Sequence, residues 1–212
     1  RSLYQMHAVF RDAIDDCARR LGRTLGEDLR TLLFSDDPDA LRPTWRMQPA
    51  TFAIEYALGR LWQSLGITPV AMLGHSIGEF AAATLAGVFS LEDAIGLVAK
   101  RGALMQAQPA GAMLGVRLSE ADLLSRLPAN LDLAAVNGPR SCVVAGTAEV
   151  VDAFAAALAA EQVACTPLRT SHAFHSRMME PALAPFAEAV GACTRNAPML
   201  PIISSVTGER LG

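Results

Sequence analysis

The segment with the clearest chemical potential is Gly74-His75-Ser76-Ile77-Gly78, which fits the pattern G-x-S-x-G of a nucleophilic serine on a sharp turn. The apolar run 70–73 before it predicts a short buried strand, and the Ala-rich segment 80–86 after it predicts a helix. This order lifts the serine hydroxyl clear of a sheet, and the flanking glycines let neighbouring backbone pass without a Cβ clash. Because a helix N-terminus directs free N–H groups at an anion, we expect the Ile77 N–H to be one oxyanion donor beside Ser76.

A serine hydroxyl is a weak nucleophile until a base takes its proton, and the sequence offers four histidines for that role. His7 lies in a predicted surface helix. His75 adjoins the candidate nucleophile on a turn where neighbouring side chains point apart, so it is an unfavourable base. His172 and His175 remain, although their residue types alone also fit a polar loop. A metal site at this pair would need further ligands, and no carboxylate pattern beside it supplies them.

One basic residue follows a long apolar helical face after the candidate nucleophile. Arg101, near a helix end, is most simply a surface residue. Its guanidinium is also suited to hold a substrate carboxylate through two parallel hydrogen bonds. Composition and spacing leave both interpretations open.

The predicted elements alternate between helices and strands, which is typical of an α/β protein. One helix is expected to begin at Pro49, because proline suits the first helical turn. In residues 112–171 the pattern of apolar residues changes, and it predicts the order β-α-β-β-α-β of a ferredoxin-like unit. We therefore predict a small subdomain at 112–171, inserted into a larger α/β body formed by residues 1–111 and 172–212.

Composition limits the classes of function. The chain has 212 residues, of which 51% are hydrophobic and 18% charged, and its net charge is −3. This is enough apolar material for a globular, enzyme-like body, and it argues against disorder. The absence of a basic block argues against nucleic acid and anionic membranes as partners. The apolar runs are too short for a transmembrane helix, and the N-terminus lacks a signal-peptide pattern.

The cysteines indicate a reducing compartment. They are widely spaced and no two form a C-x-x-C pair, so we expect buried thiols and neither a zinc site nor a disulfide framework. A cytoplasmic location is the corresponding expectation. The four residues are Cys17, Cys142, Cys165 and Cys193.

Five short motifs occur in a fixed order, and together they resemble the acyltransferase domain of modular type I polyketide synthases, relatives of the malonyl-CoA:acyl carrier protein transacylases. The resemblance extends over essentially the whole chain, and five ordered motifs are more specific than any one of them. The motifs are MQPA at 47–50, GHSIGE at 74–79, KRGALMQ at 100–106, AVNGP at 135–139 and HAFHS at 172–176.

The resemblance implies roles for three residues. Ser76 matches the serine that becomes acylated. His175 matches the general base, since the family's base is followed by a small residue and then by Met-x-Pro, as in Met179-Glu180-Pro181. Arg101 matches the arginine that pairs with the malonyl carboxylate.

Further residues match the substrate pocket. Gln48, His75 and Asn137 are assigned to substrate binding on this basis. His172 and Phe174 lie in the segment that correlates with the choice of extender unit in the family. The motif His-Ala-Phe-His is typical of domains that select malonyl, whereas domains that select methylmalonyl usually carry Tyr-Ala-Ser-His there. A phenylalanine ring one residue before the base would close the space beside the substrate C2 atom. The alternative is that Phe174 only packs in the core.

The implied reaction is an acyl transfer in two halves. His175 takes the Ser76 proton as the serine attacks the thioester of malonyl-CoA, and the phosphopantetheine thiol of an acyl carrier protein then removes the malonyl group. The domain itself needs no metal or redox cofactor in this scheme. A ketosynthase and other domains of the same polypeptide are the expected neighbours.

The chain also departs from the family. The family begins with a Gly-Gln-Gly loop whose region supplies the second oxyanion donor, and it continues into a strand and helix that help to orient the base. We expect both to lie outside this sequence, beyond Arg1 and Gly212. The resemblance further implies that the larger subdomain is α/β-hydrolase-like with a mostly parallel sheet, next to the ferredoxin-like one.

The residues also fit two other functions. A serine hydrolase or thioesterase of α/β-hydrolase type needs an acidic residue between serine and histidine in the chain, and Asp152 and Glu161 lie there. They belong to the inserted-subdomain pattern rather than to strand ends, and a hydrolase has little use for Arg101. A non-catalytic docking remnant of a synthase module is the second alternative, against which the intact Ser76 and His175 argue.

Overall fold

Two separate sheets organise the computed structural model, which describes residues 1–22 and 24–211. Two compact units contain them: residues 1–103 with 186–212, and residues 104–185. In the described residues, the helices are α1 (Ser2–Met6), α2 (Ala8–Leu21), α3 (Leu29–Leu33), α4 (Thr44–Ser64), α5 (Gly78–Leu85), α6 (Leu91–Gln106), α7 (Glu120–Leu124), α8 (Ala148–Ala160) and α9 (Glu180–Ala192), with a 3₁₀ turn at Arg177–Met179. The strands are β1 (Met72–Leu73), β2 (Ala112–Val116), β3 (Asp132–Gly138), β4 (Ser141–Gly146), β5 (Cys165–Pro167), β6 (Ile202–Ile203) and β7 (Arg210–Leu211).

The core of the first unit forms where α2 packs against α4. Apolar residues recur every three or four positions along α2 and are buried, which is the pattern of a helix with one face on a core. The ring of Phe80, in α5, stacks on Phe89 and meets Phe186 edge-on, with ring centres 6.3 and 5.9 Å apart. These contacts fix the helix that follows Ser76. Core side chains with almost no exposure include Ile14, Leu25, Leu29, Phe52 and Val98.

Helix α4 begins earlier than the sequence predicts. Its N-cap is Pro43, which has extended backbone (φ −61°, ψ 132°), and Pro49 lies inside the helix. The predicted start at Pro49 is therefore wrong. Pro49 lacks the N–H that would donate to the Trp45 carbonyl. The helix continues through it because Pro49 is fully buried, so tertiary packing outweighs one lost hydrogen bond near the helix start.

The sheet of the first unit is short and mixed. Strand β1 pairs with β6 in parallel, and β6 pairs with β7 in antiparallel fashion, which gives the order β1-β6-β7 in the described residues. The family resemblance implies a mostly parallel sheet, and only one of these two pairings is parallel. The predicted buried strand at 70–73 is also wrong, since β1 has two residues and Val70 and Leu73 are 92% and 68% exposed. An apolar run indicates a strand, but not how many neighbours cover it.

The second unit carries a four-stranded antiparallel sheet in the order β3-β4-β2-β5. Its elements follow one another as β-α-β-β-α-β, the order that the sequence predicts for 112–171. The Ser119 side chain caps α7 by accepting the Asp122 N–H. Helices α7 and α8 contribute to one apolar core with the sheet. The unit also includes residues 104–111 and 172–185, and the predicted subdomain limits stay a prediction.

None of the helices within 1–22 and 24–211 combines the length and the apolar character that a bilayer crossing requires.

Candidate active site

Ser76 lies in the turn that joins β1 to α5. Its φ angle is +54°, a left-handed conformation that residues with a Cβ atom seldom adopt. The N–H groups of residues 78–80 donate to the carbonyls of residues 75–77 over 3.0, 3.2 and 3.0 Å, which closes the turn tightly. Strand, strained serine and helix thus follow one another as the G-x-S-x-G pattern predicts.

Only one of the two flanking glycines is required by close backbone approach. A Cβ atom on Gly74 would lie 2.2 Å from the Glu79 nitrogen and 2.2 Å from the Gly78 carbonyl carbon. A Cβ atom on Gly78 would meet nothing closer than the Glu55 carboxylate oxygens, at 3.6 Å, which is ordinary van der Waals contact. The prediction that glycine avoids a clash between a Cβ atom and neighbouring backbone is therefore confirmed at Gly74 and wrong at Gly78.

We expect Gly74→Ala to destabilise the protein by about 3 kcal/mol or more, at the upper end of the usual cost of overpacking, because the obstructing atoms are backbone. Gly78→Ala is the matched control, and it should leave stability nearly unchanged. Urea unfolding of the two variants beside the wild type measures both effects. Equal unfolding midpoints for Gly74→Ala and the wild type would contradict the close approach.

Ile77 is the N-cap residue of α5 and is buried. Its backbone is already helical (φ −60°, ψ −30°), so its N–H belongs to the free donors of the helix N-terminus. No acceptor for that N–H occurs in the part of the chain that the structure describes. The group is thus available to an anion beside Ser76.

The structure brings Ser76, Arg101 and Gln48 together. The Arg101 guanidinium donates from Nη2 to Ser76 Oγ over 3.1 Å and from Nη1 to Gln48 Oε1. Gln48 is buried in α4, and Arg101 is in α6. The helices approach closely because Gly102 has no side chain: a Cβ there would lie 3.0 Å from the Trp45 Cα.

Arg101 is a partly buried cation whose hydrogen-bond partners are both neutral. Burial lowers the pKa of its guanidinium, and the Glu79 carboxylate partly opposes this, while the group stays protonated. In residues 1–22 and 24–211, Arg101 forms no ion pair with a carboxylate. Because removing a cation from water is costly unless an anion compensates it, this position favours a negatively charged ligand next to Ser76.

Two acidic residues lie at the turn, and the sequence predicts a role for neither. Glu79 Oε1 accepts the Ser205 N–H at 3.2 Å and its hydroxyl at 2.7 Å, which ties the start of α5 to the loop after β6. Glu55 lies below Gly78, and burial raises the pKa of its carboxyl group. Its buried Oε2 has no hydrogen-bond partner among the described residues. Glu79 and its partner Ser205 are 126 positions apart, so a local sequence pattern carries no signal for this contact.

In the second unit, His172 and Phe174 are buried against each other. Their rings stack with centres 6.0 Å apart and planes inclined by 22°. His172 is 3% exposed, and its Nδ1 lies 2.8 Å from the Ser171 hydroxyl oxygen. Phe174 is 8% exposed.

His175 differs from His172 in both exposure and backbone. It is exposed, and its φ angle of +59° is again left-handed. Ser176 follows it in extended conformation and caps the 3₁₀ turn, with its hydroxyl accepting the Met178 N–H at 3.2 Å. Of the two candidate bases, His175 is thus the exposed residue.

The other two predicted pocket residues, His75 and Asn137, are exposed. His75 is exposed on the turn beside Ser76, in the first unit. Asn137 is exposed on β3, in the second unit.

The cysteines are free thiols. Cys17 and Cys142 are buried as predicted, whereas Cys165 and Cys193 are only partly buried. Burial raises the pKa of the Cys17 thiol to about 12, which leaves it unreactive at neutral pH. Across 1–22 and 24–211, no group of three or more His, Cys, Asp or Glu side chains is arranged to hold a metal ion.

Comparisons with known proteins agree on one family. The model of the acyl transferase domain family matches residues 1–211. Mycoketide-CoA synthase of Mycobacterium tuberculosis is 43% identical over 99% of this chain, which corresponds to 5% of that protein. The solved acyltransferase domain from the second module of the salinomycin polyketide synthase is 46% identical, with a TM-score of 0.91, over 99% of this chain and 50% of that one.

A transacylase outside the polyketide synthases is also similar in fold. The malonyl CoA-acyl carrier protein transacylase of Coxiella burnetii is 29% identical with a TM-score of 0.82, over 91% of this chain and 64% of that one. The match of family, fold and identity extends over nearly every described residue, including the turn at Ser76. The chain therefore belongs to the acyl transferase domain family, as an acyltransferase domain of the kind found in type I polyketide synthases.

Proposed function

We propose that this domain takes a malonyl extender unit from malonyl-CoA, holds it as an ester on Ser76, and passes it to the phosphopantetheine thiol of an acyl carrier protein in polyketide biosynthesis. The observation that carries the proposal is the Arg101 guanidinium, which contacts Ser76 Oγ and whose hydrogen-bond partners among the described residues are neutral. A thioester with a free carboxylate supplies the missing anion at that position. The name of the Coxiella relative, a malonyl CoA-acyl carrier protein transacylase, points the same way.

In the first half-reaction, Ser76 Oγ attacks the thioester carbonyl carbon and His175 accepts the hydroxyl proton. The carbonyl oxygen becomes an oxyanion, which the Ile77 N–H stabilises. The C–S bond then breaks, the CoA sulfur takes the proton from His175, and the malonyl group remains on Ser76. The left-handed Ser76 backbone and the accessible His175 ring support these two roles.

In the second half-reaction, the carrier-protein thiol gives its proton to His175 and attacks the Ser76 ester. Collapse of the oxyanion returns the proton to Ser76 Oγ and releases the malonyl thioester of the carrier protein. Such a double displacement has ping-pong kinetics. The domain needs no cofactor of its own in this scheme, because the phosphopantetheine belongs to the carrier protein.

Arg101 changes partner during this cycle. In the free domain it donates to Ser76 Oγ, and in the loaded domain its planar fork binds the malonyl carboxylate. Gln48 holds the guanidinium in place through its carbonyl oxygen. His75 and Asn137 are proposed to line the pocket with it.

The finer fold assignment belongs with this proposal. The parallel pairing of β1 with β6 beside the turn at Ser76 supports an α/β-hydrolase-like first unit. The sheet order β3-β4-β2-β5 supports a ferredoxin-like second unit. A ketosynthase and further synthase domains are the proposed neighbours, in keeping with the multidomain relatives.

Substrate choice is proposed to depend on Phe174. Its buried ring would fill the space that the methyl group of methylmalonyl requires, whereas malonyl has only hydrogens at C2. One methyl group in an apolar pocket changes the free energy of binding by ~1–3 kcal/mol, so we expect a malonyl preference of roughly 10- to 200-fold in kcat/KM. Phe174→Ser should narrow this preference, mainly by admitting methylmalonyl.

Competition between the two thioesters, read as the ratio of adducts on Ser76, measures the preference. The ratio does not depend on how much of the variant is folded, so the loss of the His172 stacking contact does not disturb it. Equal loading of malonyl and methylmalonyl by the wild type, or an unchanged adduct ratio in Phe174→Ser, would show that Phe174 does not determine substrate choice.

The destination of the malonyl group tests the function as a whole. Malonyl-CoA is added first, and then a carrier protein with its phosphopantetheine attached. We expect the malonyl thioester of the carrier protein as the product. Free malonate as the main product would indicate a thioesterase, and unchanged malonyl-CoA would indicate a domain without catalysis.

A further inference from the structure

His175 has a backbone conformation that local sequence does not favour. Its φ angle is +59°, and a residue with a Cβ atom keeps a left-handed conformation only where the surrounding structure over-determines it. The direction of the imidazole depends on this backbone. The contacts on either side of His175 therefore contribute to where its ring is presented.

The contacts formed by Ser176 are local. The Ser176 hydroxyl donates to the Ala173 carbonyl over 2.6 Å while it accepts the Met178 N–H. Both partners lie within three residues of Ser176. These bonds shape the turn, but they do not attach it to the sheet of the second unit.

The attachment comes from Asp132, the first residue of β3. Its Oδ2 accepts the Arg177 backbone N–H at 2.8 Å, and its Oδ1 accepts from the Arg177 Nε and Nη2 at 3.0 and 2.7 Å. Asp132 is mostly buried, with 22% of its side chain exposed. These hydrogen bonds from Arg177 hold the pKa of the Asp132 carboxyl below its usual value. One carboxylate thus holds both the main chain and the side chain of the residue two positions after His175.

This arrangement differs from an ordinary surface ion pair of the same unit. Arg126 and Glu161 also form a pair, at 3.1 Å, but through side-chain atoms only. An exposed pair of that type adds little to a fold. The Asp132 carboxylate instead fixes the position of a backbone segment relative to a hydrogen-bonded strand.

We propose that Asp132 and Arg177 are positioning residues for His175, and this rests on the proposed function, in which His175 is the base. They set the backbone at 175–177 and so hold the imidazole in the direction that proton transfer from Ser76 requires. Neither touches the substrate. Because a misplacement of about 1 Å can cost on the order of 10²-fold in rate, loss of this attachment should be visible in kinetics.

The expected losses follow the contacts that each variant removes. Asp132→Ala removes the bonds to the main chain and the guanidinium, and we expect acylation of Ser76 to slow by about 10- to 100-fold. Asp132→Asn keeps an oxygen acceptor and should lose less. Arg177→Gln keeps the backbone bond and should also lose less than Asp132→Ala. Arg126→Gln is the matched control, and it should load like the wild type.

A double-mutant cycle separates positioning from general damage to the fold. Two rates are measured: malonyl loading from malonyl-CoA, and labelling of the serine by a fluorophosphonate. Each is measured for the wild type, Asp132→Ala, His175→Ala and the double variant. If Asp132 acts through His175, Asp132→Ala slows the reaction in the wild-type background and adds no loss when His175 is already absent. The same cycle with Asp132→Asn covers the case in which Asp132→Ala folds poorly.

Equal losses in both backgrounds, or no loss in the wild-type background, would overturn the proposal. The fluorophosphonate reports Ser76 reactivity without any malonyl group. If malonyl-CoA fails to load the wild type, the proposed function fails, and the cycle is still decided by fluorophosphonate labelling. If His175→Ala leaves that labelling unchanged, His175 is not the base and the positioning role falls with it.

Discussion

Replacing Ser76 with alanine is expected to abolish covalent loading from malonyl-CoA, and replacing His175 with alanine is expected to slow it by on the order of 10²–10⁴-fold, the usual contribution of a positioned acid–base group. In the proposed reaction Ser76 provides the attacking oxygen, so no ester should form without it. His175 would only accelerate proton removal, so its loss should leave slow loading. The rate of adduct formation, followed by intact-protein mass, measures both changes.

His172 is the control for the base. Its ring is 3% exposed and stacks on Phe174, so it has a packing role in the second unit. His172→Ala is expected to lower stability and to slow loading much less than His175→Ala when rates are normalised to folded protein. If the two histidine variants exchanged their effects, the base would be His172 and the assignment of His175 would be wrong.

Arg101→Ala should depress malonyl transfer by roughly 10- to 150-fold in kcat/KM and spare or improve acetyl transfer. The estimate takes about 1.5–3 kcal/mol for hydrogen bonds to a charged group. The loss is specific because acetyl has no carboxylate to pair with the guanidinium. Loading assays with malonyl-CoA and acetyl-CoA, run in parallel, give the two values.

Two further variants sharpen the test of Arg101. Arg101→Lys keeps the charge but not the planar fork, so it should not restore full malonyl transfer. Lys100→Ala removes a neighbouring, exposed cation from the same helix and should leave both transfers unchanged. Equal losses for malonyl and acetyl in Arg101→Ala would mean that Arg101 supports the fold or binds CoA.

The sequence predicts well where local chemistry decides the structure. The turn at Ser76 is visible because glycine, serine and an Ala-rich helix follow a short apolar run. The order β-α-β-β-α-β of the second unit is visible because each strand and helix has its own period and turn residues.

The sequence does not predict features that depend on packing between residues distant in the chain. Pro49 would mark a helix start by its own preference, yet its burial places it inside α4. The apolar run at 70–73 indicates a strand but not its exposure. Spacing leaves the role of Arg101 open, and the contact with Ser76 appears only in the folded chain.

The attachment of Arg177 to Asp132 lies beyond any local pattern. The two residues are 45 positions apart, and neither belongs to a motif of the sequence analysis. An aspartate at a strand start and an arginine after a turn are ordinary surface residues by type. Only the fold shows that the carboxylate accepts a backbone N–H beside His175.

The central claim is that Ser76 carries the acyl group, and the mass of the intact protein after brief exposure to malonyl-CoA tests it most directly, with the modified residue located by peptide mapping. We predict one malonyl group per chain, on Ser76, absent from Ser76→Ala and removed on addition of a carrier protein with its phosphopantetheine thiol. An unmodified wild-type protein, or an adduct of the same mass on Ser76→Ala, would contradict the account.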